Sequence, residues 1–270
     1  MNESNCVLII RSVQVQPIRN IIVSIKDILI DATITFTRDG LRIINFDKSQ
    51  TILVNVSLAA DKFEYYCCKP EKIIICANTV HLFKVISTMS NDDTLTIYIE
   101  NKDYNDGIVS HLGFQYDNGD IKQCSSQKLR LIEPDLEELE VPDVKYSSVI
   151  NMPTADFQKI IRDMHGISDR IEIKSVGNDL IFYCEGPFAQ CKIFRSESDG
   201  VMEFVTRPDD PSVVIQGEFS LKSLSHFIKC TPLCSHMELY LANNLPLIVQ
   251  YAASSLGEIR LCLSSLPPII

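Results

Sequence analysis

The sequence predicts an α+β fold built twice over, and three observations carry that expectation. The helix-like segments that open the two halves repeat one another. Each repeat mixes helix-period and strand-period patterns. A proline- and acid-rich stretch separates the halves. Residues 17–29 (Pro-Ile-Arg-Asn-Ile-Ile-Val-Ser-Ile-Lys-Asp-Ile-Leu) and 153–164 (Pro-Thr-Ala-Asp-Phe-Gln-Lys-Ile-Ile-Arg-Asp-Met) share an offset of 136 positions (153 − 17). That offset sets Ile21 against Phe157, Ile25 against Ile161 and Asp27 against Asp163. Each opens with a proline at a plausible first turn (Pro17, Pro153). One carries the apolar stripe Ile18, Ile21, Ile22, Ile25, Leu29, the other Phe157, Ile160, Ile161, Met164. Bases lie off each stripe, Arg19 and Lys26 in the first, Lys159 and Arg162 in the second, so a doubled set of basic helices points to a symmetric assembly around something anionic.

The remaining elements follow in order. Thr33–Thr37 and Leu41–Phe46 alternate around Arg38-Asp39-Gly40, a hairpin signal. Thr51–Leu58 and Lys72–Ala77 read as strands, and residues 79–89 as a helix with Val80, Phe83 and Ile86 apolar and Lys84 off the stripe. Strands are expected at Thr94–Glu100, Ile108–Tyr116 and Ile121–Ile132. In the second half a helix over 154–165 precedes strands at Arg170–Ser175, Asp179–Glu185, Gln190–Ser196, 201–206 and 212–217. A helix over 219–230 sets Leu221, Leu224, Phe227 and Ile228 on one face and Lys222 and Lys229 on another. Strands at Met237–Leu241, Leu247–Ala252 and Ile259–Leu263 close the chain. Each half thus reads helix, strands, helix, strands.

Between them lies Glu133-Pro-Asp-Leu-Glu-Glu-Leu-Glu-Val-Pro-Asp143, whose two prolines and many acids make an extended surface linker. Its apolar Leu136, Leu139 and Val141 are unusual for a purely solvated spacer. The expected organisation is a domain over 1–130, a connector over 131–148 and a second domain over 149–270. A chain of 270 residues, 46% apolar, fits two domains with real cores. No stretch approaches the roughly 18–20 apolar residues of a membrane span. The N-terminus lacks the basic region of a secretion signal, so a cytosolic or nuclear site is expected. Most of the ten cysteines sit in apolar segments and read as reduced, buried thiols.

The net charge of −10 argues against an anionic partner unless the charges are segregated by face. No phosphate loop or nucleophile elbow is present. The five histidines (His81, His111, His165, His226, His236) form no legible triad, and an enzyme is not expected. Cys230-Thr-Pro-Leu-Cys234-Ser-His236 is half a zinc site without its second pair, so no metal and no cofactor are expected.

Several segments resemble the eukaryotic-type DNA polymerase sliding clamp, the proliferating cell nuclear antigen family. They are Ser24-Ile-Lys-Asp-Ile-Leu, Leu41-Arg-Ile-Ile-Asn-Phe-Asp-Lys-Ser, the connector Asp135-Leu-Glu-Glu-Leu-Glu-Val-Pro, and Asn151-Met-Pro-Thr-Ala-Asp-Phe-Gln-Lys-Ile-Ile-Arg-Asp. Phe227-Ile-Lys-Cys-Thr-Pro-Leu and Pro246-Leu-Ile-Val-Gln-Tyr continue the match, which covers almost the whole chain in order. The resemblance implies the DNA-clamp fold: a ring of three two-domain subunits, sheets outside and helices lining the hole, encircling duplex DNA. It implies a non-enzymatic processivity factor that tethers polymerase and other replication and repair factors, is placed by a clamp loader, and works in the nucleus or at a viral replication site. A monomeric or heteromeric clamp subunit of the same fold is the alternative.

The resemblance also implies sites. Arg19, Lys26, Lys84, Lys159, Arg162, Lys222 and Lys229 match positions that face the hole and touch phosphates without reading sequence; an ordinary solvated helix face is the competing reading. His165 and His226 lie on or near these helices and are placed to supplement such contacts. Phe46, Leu139, Val141, Pro246, Cys262 and Ser264 match a pocket that takes a partner peptide's aromatic pair. Cys262 stands where the family usually has Tyr, and Leu263-Ser-Ser-Leu-Pro-Pro-Ile-Ile replaces its usual acidic tail; with the short Met1-to-Asn5 extension this marks a divergent, viral-type member. Edge strands about Lys122–Leu131 and Phe188–Ser196 match the family's joining strands.

Overall fold

The computed structural model describes residues 3–134, 139 and 144–267. The chain forms two compact units, one gathering Met1–Lys48, Val54–Glu140 and Ala253–Ile259, the other Ser49–Leu53, Val141–Ala252 and Arg260–Ile270.

The first half runs β1 (Cys6–Ser12), α1 (Val15–Ile25), β2 (Asp31–Thr37), β3 (Gly40–Phe46), β4 (Ile52–Ala59), β5 (Tyr65–Cys68), β6 (Lys72–Asn78), α2 (Thr79–Ile86), β7 (Thr94–Glu100), β8 (Tyr104–Asn105), β9 (Ile108–Val109), β10 (His111–Asn118) and β11 (Gln123–Arg130). The second half runs β12 (Ser148–Pro153), α3 (Thr154–His165), β13 (Arg170–Val176), β14 (Asp179–Glu185), β15 (Gln190–Ser196), β16 (Glu203–Thr206), β17 (Val214–Ser220), α4 (Leu221–Phe227), β18 (His236–Leu241), β19 (Leu247–Ala252) and β20 (Gly257–Leu263). Strand neighbours in the first half follow the orders β11-β10-β7-β1-β5 and β4-β3-β2-β6. Those in the second follow β20-β19-β18-β12-β16 and β15-β14-β13-β17. Exchanging β1 for β12, β2–β4 for β13–β15, β5 and β6 for β16 and β17, β7 for β18, and β10 and β11 for β19 and β20 turns one set into the other. The repeat is therefore a repeat of topology.

Its register differs from the one the prolines mark. Val15 and Thr154 open their helices, Asp31 and Arg170 open the next strands, and Gly40 and Asp179 the ones after, each pair 139 residues apart (154 − 15). At this offset the buried Ile18, Ile21, Ile22 and Ile25 meet the buried Phe157, Ile160, Ile161 and Met164 one for one. Pro153 precedes α3 whereas Pro17 is the third residue of α1, both tolerated where no intrahelical N–H bond is due. The basic positions are consequently not equivalent: Arg19 aligns with Gln158 and Lys26 with His165.

Each half opens with a strand that alternation does not reveal. In β1, Leu8 and Ile10 face one side and Ile9 the other, yet all are at most 2% exposed. Cys6, Ile9 and Tyr98 form a second small apolar cluster, and the Tyr98 ring lies over Gly113, where a Cβ would stand 2.3 Å from it. A strand covered on both faces reads as a continuous apolar run. By contrast β2, β13 and β14 alternate buried and partly exposed residues, as a one-faced strand should. The β2–β3 hairpin pairs Phe36 with Leu41. Gly40 has φ +146°, and a Cβ there would lie 2.1 Å from the Leu58 carbonyl oxygen, so only glycine fits.

The second helix of each half is shorter than its apolar pattern. α2 ends at Ile86 and buries Thr79, Leu82 and Ile86, leaving Val80 45% exposed. α4 ends at Phe227 and passes into a 3-10 helix, Ile228–Leu233, that contains Pro232; a proline there has no N–H for an α-turn. The expected strand over 108–116 is split into β9 and β10, and that over 121–132 begins only at Gln123.

Candidate nucleic-acid interface and partner surface

In the first unit α1 packs beside α2. Arg19 is half-buried on α1. Its Nη1 donates to Asn91 Oδ1 at 2.9 Å and Gln16 Oε1 at 3.4 Å, and its Nη2 donates to the Met89 carbonyl. The guanidinium thus ties α1 to the segment after α2. Lys26, just past α1, sets its Nζ 2.9 Å from Asp27 and 5.1 Å from the centroid of the Phe83 ring on α2. Lys84 is exposed in the last turn of α2, where a cation suits the helix dipole. The Asn78 side chain caps that helix by accepting from the His81 N–H at 3.2 Å.

In the second unit α3 packs beside α4. Lys159 pairs with Asp163 at 2.6 Å, with its side chain 73% exposed. Arg162 is exposed in the last turn of α3, and His165 follows it. Lys222 is exposed in the first turn of α4, whose Ser220 cap accepts from the Ser223 N–H at 3.2 Å. A cation at that end gains nothing from the helix dipole. Lys229 is exposed on the 3-10 helix rather than on α4. Among the described residues Lys84, Arg162 and Lys222 hold no ion pair. The four helices carry five Lys or Arg (19, 84, 159, 162, 222) against two Asp (156, 163), in a chain whose net charge is −10. The helices thus carry a net positive charge, and the acidic excess lies elsewhere.

The positions matched to a partner pocket divide between the units. In the first, Phe46 is 45% exposed at the end of β3 and Leu139 is half-buried. Val141 lies outside the described residues. In the second, the Pro246 carbonyl accepts from the Tyr146 hydroxyl at 2.9 Å, and Tyr146 stands edge-on to Tyr240 with centroids 5.7 Å apart. Cys262 belongs to the face of β20 away from Leu261 and Leu263, yet it is only 8% exposed. Burial pushes its thiol up to about 11 and the Tyr146 phenol up to about 12, with the Cys262 charge adding to the latter. Ser264 is exposed, its N–H bonded to the Thr51 carbonyl at 3.0 Å. Tyr146 and Tyr240 escaped sequence reading; the signal that could have found the first is an aromatic just before β12.

Two long strands end their sheets, β11 and β15. The other sheet ends are short or capped. β5 and β16 have four residues each, and the edges of β6 and β17 receive N–H groups from Ile132 (to the Cys76 carbonyl, 3.0 Å) and Leu266 (to the Glu218 carbonyl, 2.7 Å). On β11, Lys128 is turned back to Glu100 at 2.5 Å and Asp103 at 2.7 Å. On β15, Arg195 reaches Asp156 at 3.4 Å and Lys192 lies 4.8 Å from the Phe194 ring centroid. Phe194 and, at the hairpin tip, Phe188 are 56% and 74% exposed. Lys128, Lys192 and Arg195 are thus drawn into contacts of the chain's own, while Arg130 at the end of β11 is exposed. Among the described residues no helix is long and apolar enough to cross a membrane.

Comparison with known proteins agrees with this architecture. The family model "Proliferating cell nuclear antigen, N-terminal domain" matches residues 8–138, and "Proliferating cell nuclear antigen, C-terminal domain" matches residues 140–266. The chain is 31% identical over 265 residues to "Probable DNA polymerase sliding clamp 1" of Paramecium bursaria Chlorella virus 1, a match covering 96% of this chain and 97% of that one. Two domain matches in tandem, spanning both halves of the repeated fold, place the chain in the proliferating cell nuclear antigen family, the non-enzymatic sliding clamps of DNA replication.

Proposed function

We propose that three copies of this chain join head to tail, β11 of one copy against β15 of the next, into a ring that encircles duplex DNA and holds a polymerase to its template. The observation that carries this reading is the pair of long strands at the ends of their sheets. A single chain leaves both rows of backbone groups unpaired, and two different edges that pair head to tail close a ring when the rotation allows. The exposed bases of the helices, Lys84, Arg162, Lys222 and Lys229, supply diffuse phosphate contacts, with Lys26 and Lys159 exchanging their neighbouring aspartates for phosphate. Arg19 serves chiefly as a tether. The domains 1–130 and 149–270 act as the ring's segments, and the connector 131–148, with Phe46, Leu139, Val141, Pro246, Cys262 and Ser264, takes the peptide of a polymerase or another replication or repair factor. A clamp loader places the ring at a viral or nuclear replication site.

Retention on DNA tests this. Loaded on a nicked circle, the protein should stay through a wash at moderate salt. After the circle is cut to a linear molecule it should be lost from the ends. Equal retention on both forms would show simple adhesion to DNA and remove the encircling ring.

A further inference from the structure

Cys184 on β14 and Cys191 on β15 face one another directly across the strand pair. Both are free thiols. Across the hairpin turn the Gly186 N–H donates to the Ala189 carbonyl at 2.9 Å. Two residues further along each strand the hydrogen-bonded type of pair recurs, with Cα atoms about 5.5 Å apart. That separation lies within the span of a disulfide. Directly opposed residues project from the same face of the sheet. The two thiols also differ in access: Cys184 is 2% exposed, with its Sγ 4.0 Å from the Met164 carbonyl at the end of α3, whereas Cys191 is half-buried on the edge strand. Neither β13 nor β17 contributes a cysteine to this sheet.

We propose that Cys184 and Cys191 form a reversible cross-strand disulfide under peroxide. Hydrogen peroxide oxidises the Cys191 thiol, the more exposed of the two, to a sulfenic acid and is reduced to water. The Cys184 sulfur then attacks the Cys191 sulfur, the S–S bond forms, and the hydroxyl leaves as a second water with the Cys184 proton. Two thiols lose two hydrogens in all, and a dithiol reductant restores them. The crosslink pins the end strand β15 to its neighbour. If the ring is joined as proposed, it stiffens one of the two joining edges.

The test treats the full chain with hydrogen peroxide and measures mass before and after. A loss of two hydrogens is expected, reversed by dithiothreitol. Trypsin leaves both cysteines on one peptide, because no Lys or Arg lies between Lys174 and Lys192. Chymotrypsin then cuts after Phe188 and separates them. The two fragments should stay joined until reduced, Cys191→Ser should abolish the joining, and Cys124→Ser should leave it intact. Hydrogen exchange of the β15 amides should slow about tenfold in the oxidised form. Fragments that separate without reductant, or Cys191 recovered as a sulfinic acid beside an untouched Cys184, would overturn the proposal. Solution mass on the same samples keeps the two readings apart: a crosslinked monomer would sink the ring and leave the disulfide standing.

Discussion

Arg19 and Lys84 lie on neighbouring helices and carry the same charge, but they do different work. Arg19 donates to the Met89 carbonyl, Asn91 and Gln16, so Arg19→Ala should lower stability by about 1.5–3 kcal/mol, the range for hydrogen bonds to a charged group. Lys84 is exposed and holds no ion pair among the described residues, so Lys84→Ala should shift stability by less than about 0.5 kcal/mol. It should instead weaken DNA binding equally for all sequences and reduce the salt slope by roughly 0.9. Urea unfolding of each variant beside a salt titration of DNA binding separates the roles; a destabilised Lys84→Ala with an unchanged slope would reverse them. The sequence showed both residues only as bases off an apolar stripe, because what distinguishes them is the carbonyl of Met89, some 70 positions away. Tyr146 and Cys262 make a second contrast. Their folded values, about 12 and about 11, stand above the usual 10.0 and 9.0. Above those usual values the unfolded chain releases protons that the folded chain keeps. The contribution is therefore whole below about pH 9 and is lost as pH rises to about 12. Melting of the second unit should fall across that window, and Cys262→Ala should flatten its lower half; a melting temperature unchanged up to about pH 12 would contradict the burial of both groups.

Among the elements, the β2–β3 hairpin and the capped helices hold the most exacting local requirements. Gly40→Ala must accept a positive φ and a Cβ 2.1 Å from the Leu58 oxygen, and should cost about 2 kcal/mol or more. Ser220→Ala removes one cap bond from α4 and should cost about 1 kcal/mol. Thermal melts that rank these two in the opposite order would show that β3 shifts to accommodate the methyl group. The hairpin, α3 and most of the strands were legible from period and turn residues. β1 and β12 were not, because strands covered on both faces lose their alternation, and the register of the repeat was not, because apolar residues spaced by three and four match almost as well at 136 as at 139. Burial resolves the ambiguity: Ile22 meets the buried Ile161 at the second offset and the half-buried Gln158 at the first.

At the scale of the molecule, a chain with a net charge of −10 belongs to a family that works on DNA, and the sparing of the helices from the acidic excess reconciles the two. The doubled topology supplies the rest, since it leaves β11 and β15 as long edges that one copy cannot satisfy alone. The partner surface was the least legible part of the molecule: Cys262 departs from the family, and the bond from Tyr146 to the Pro246 carbonyl joins residues 100 positions apart. Whether a ring closes through those two edges is decided by light scattering of the purified protein without DNA at micromolar concentration. The expected mass is three times 30.5 kDa, falling toward a single chain when an aspartate replaces Ile193 on β15. A wild-type protein that scatters as one 30.5 kDa chain would contradict it.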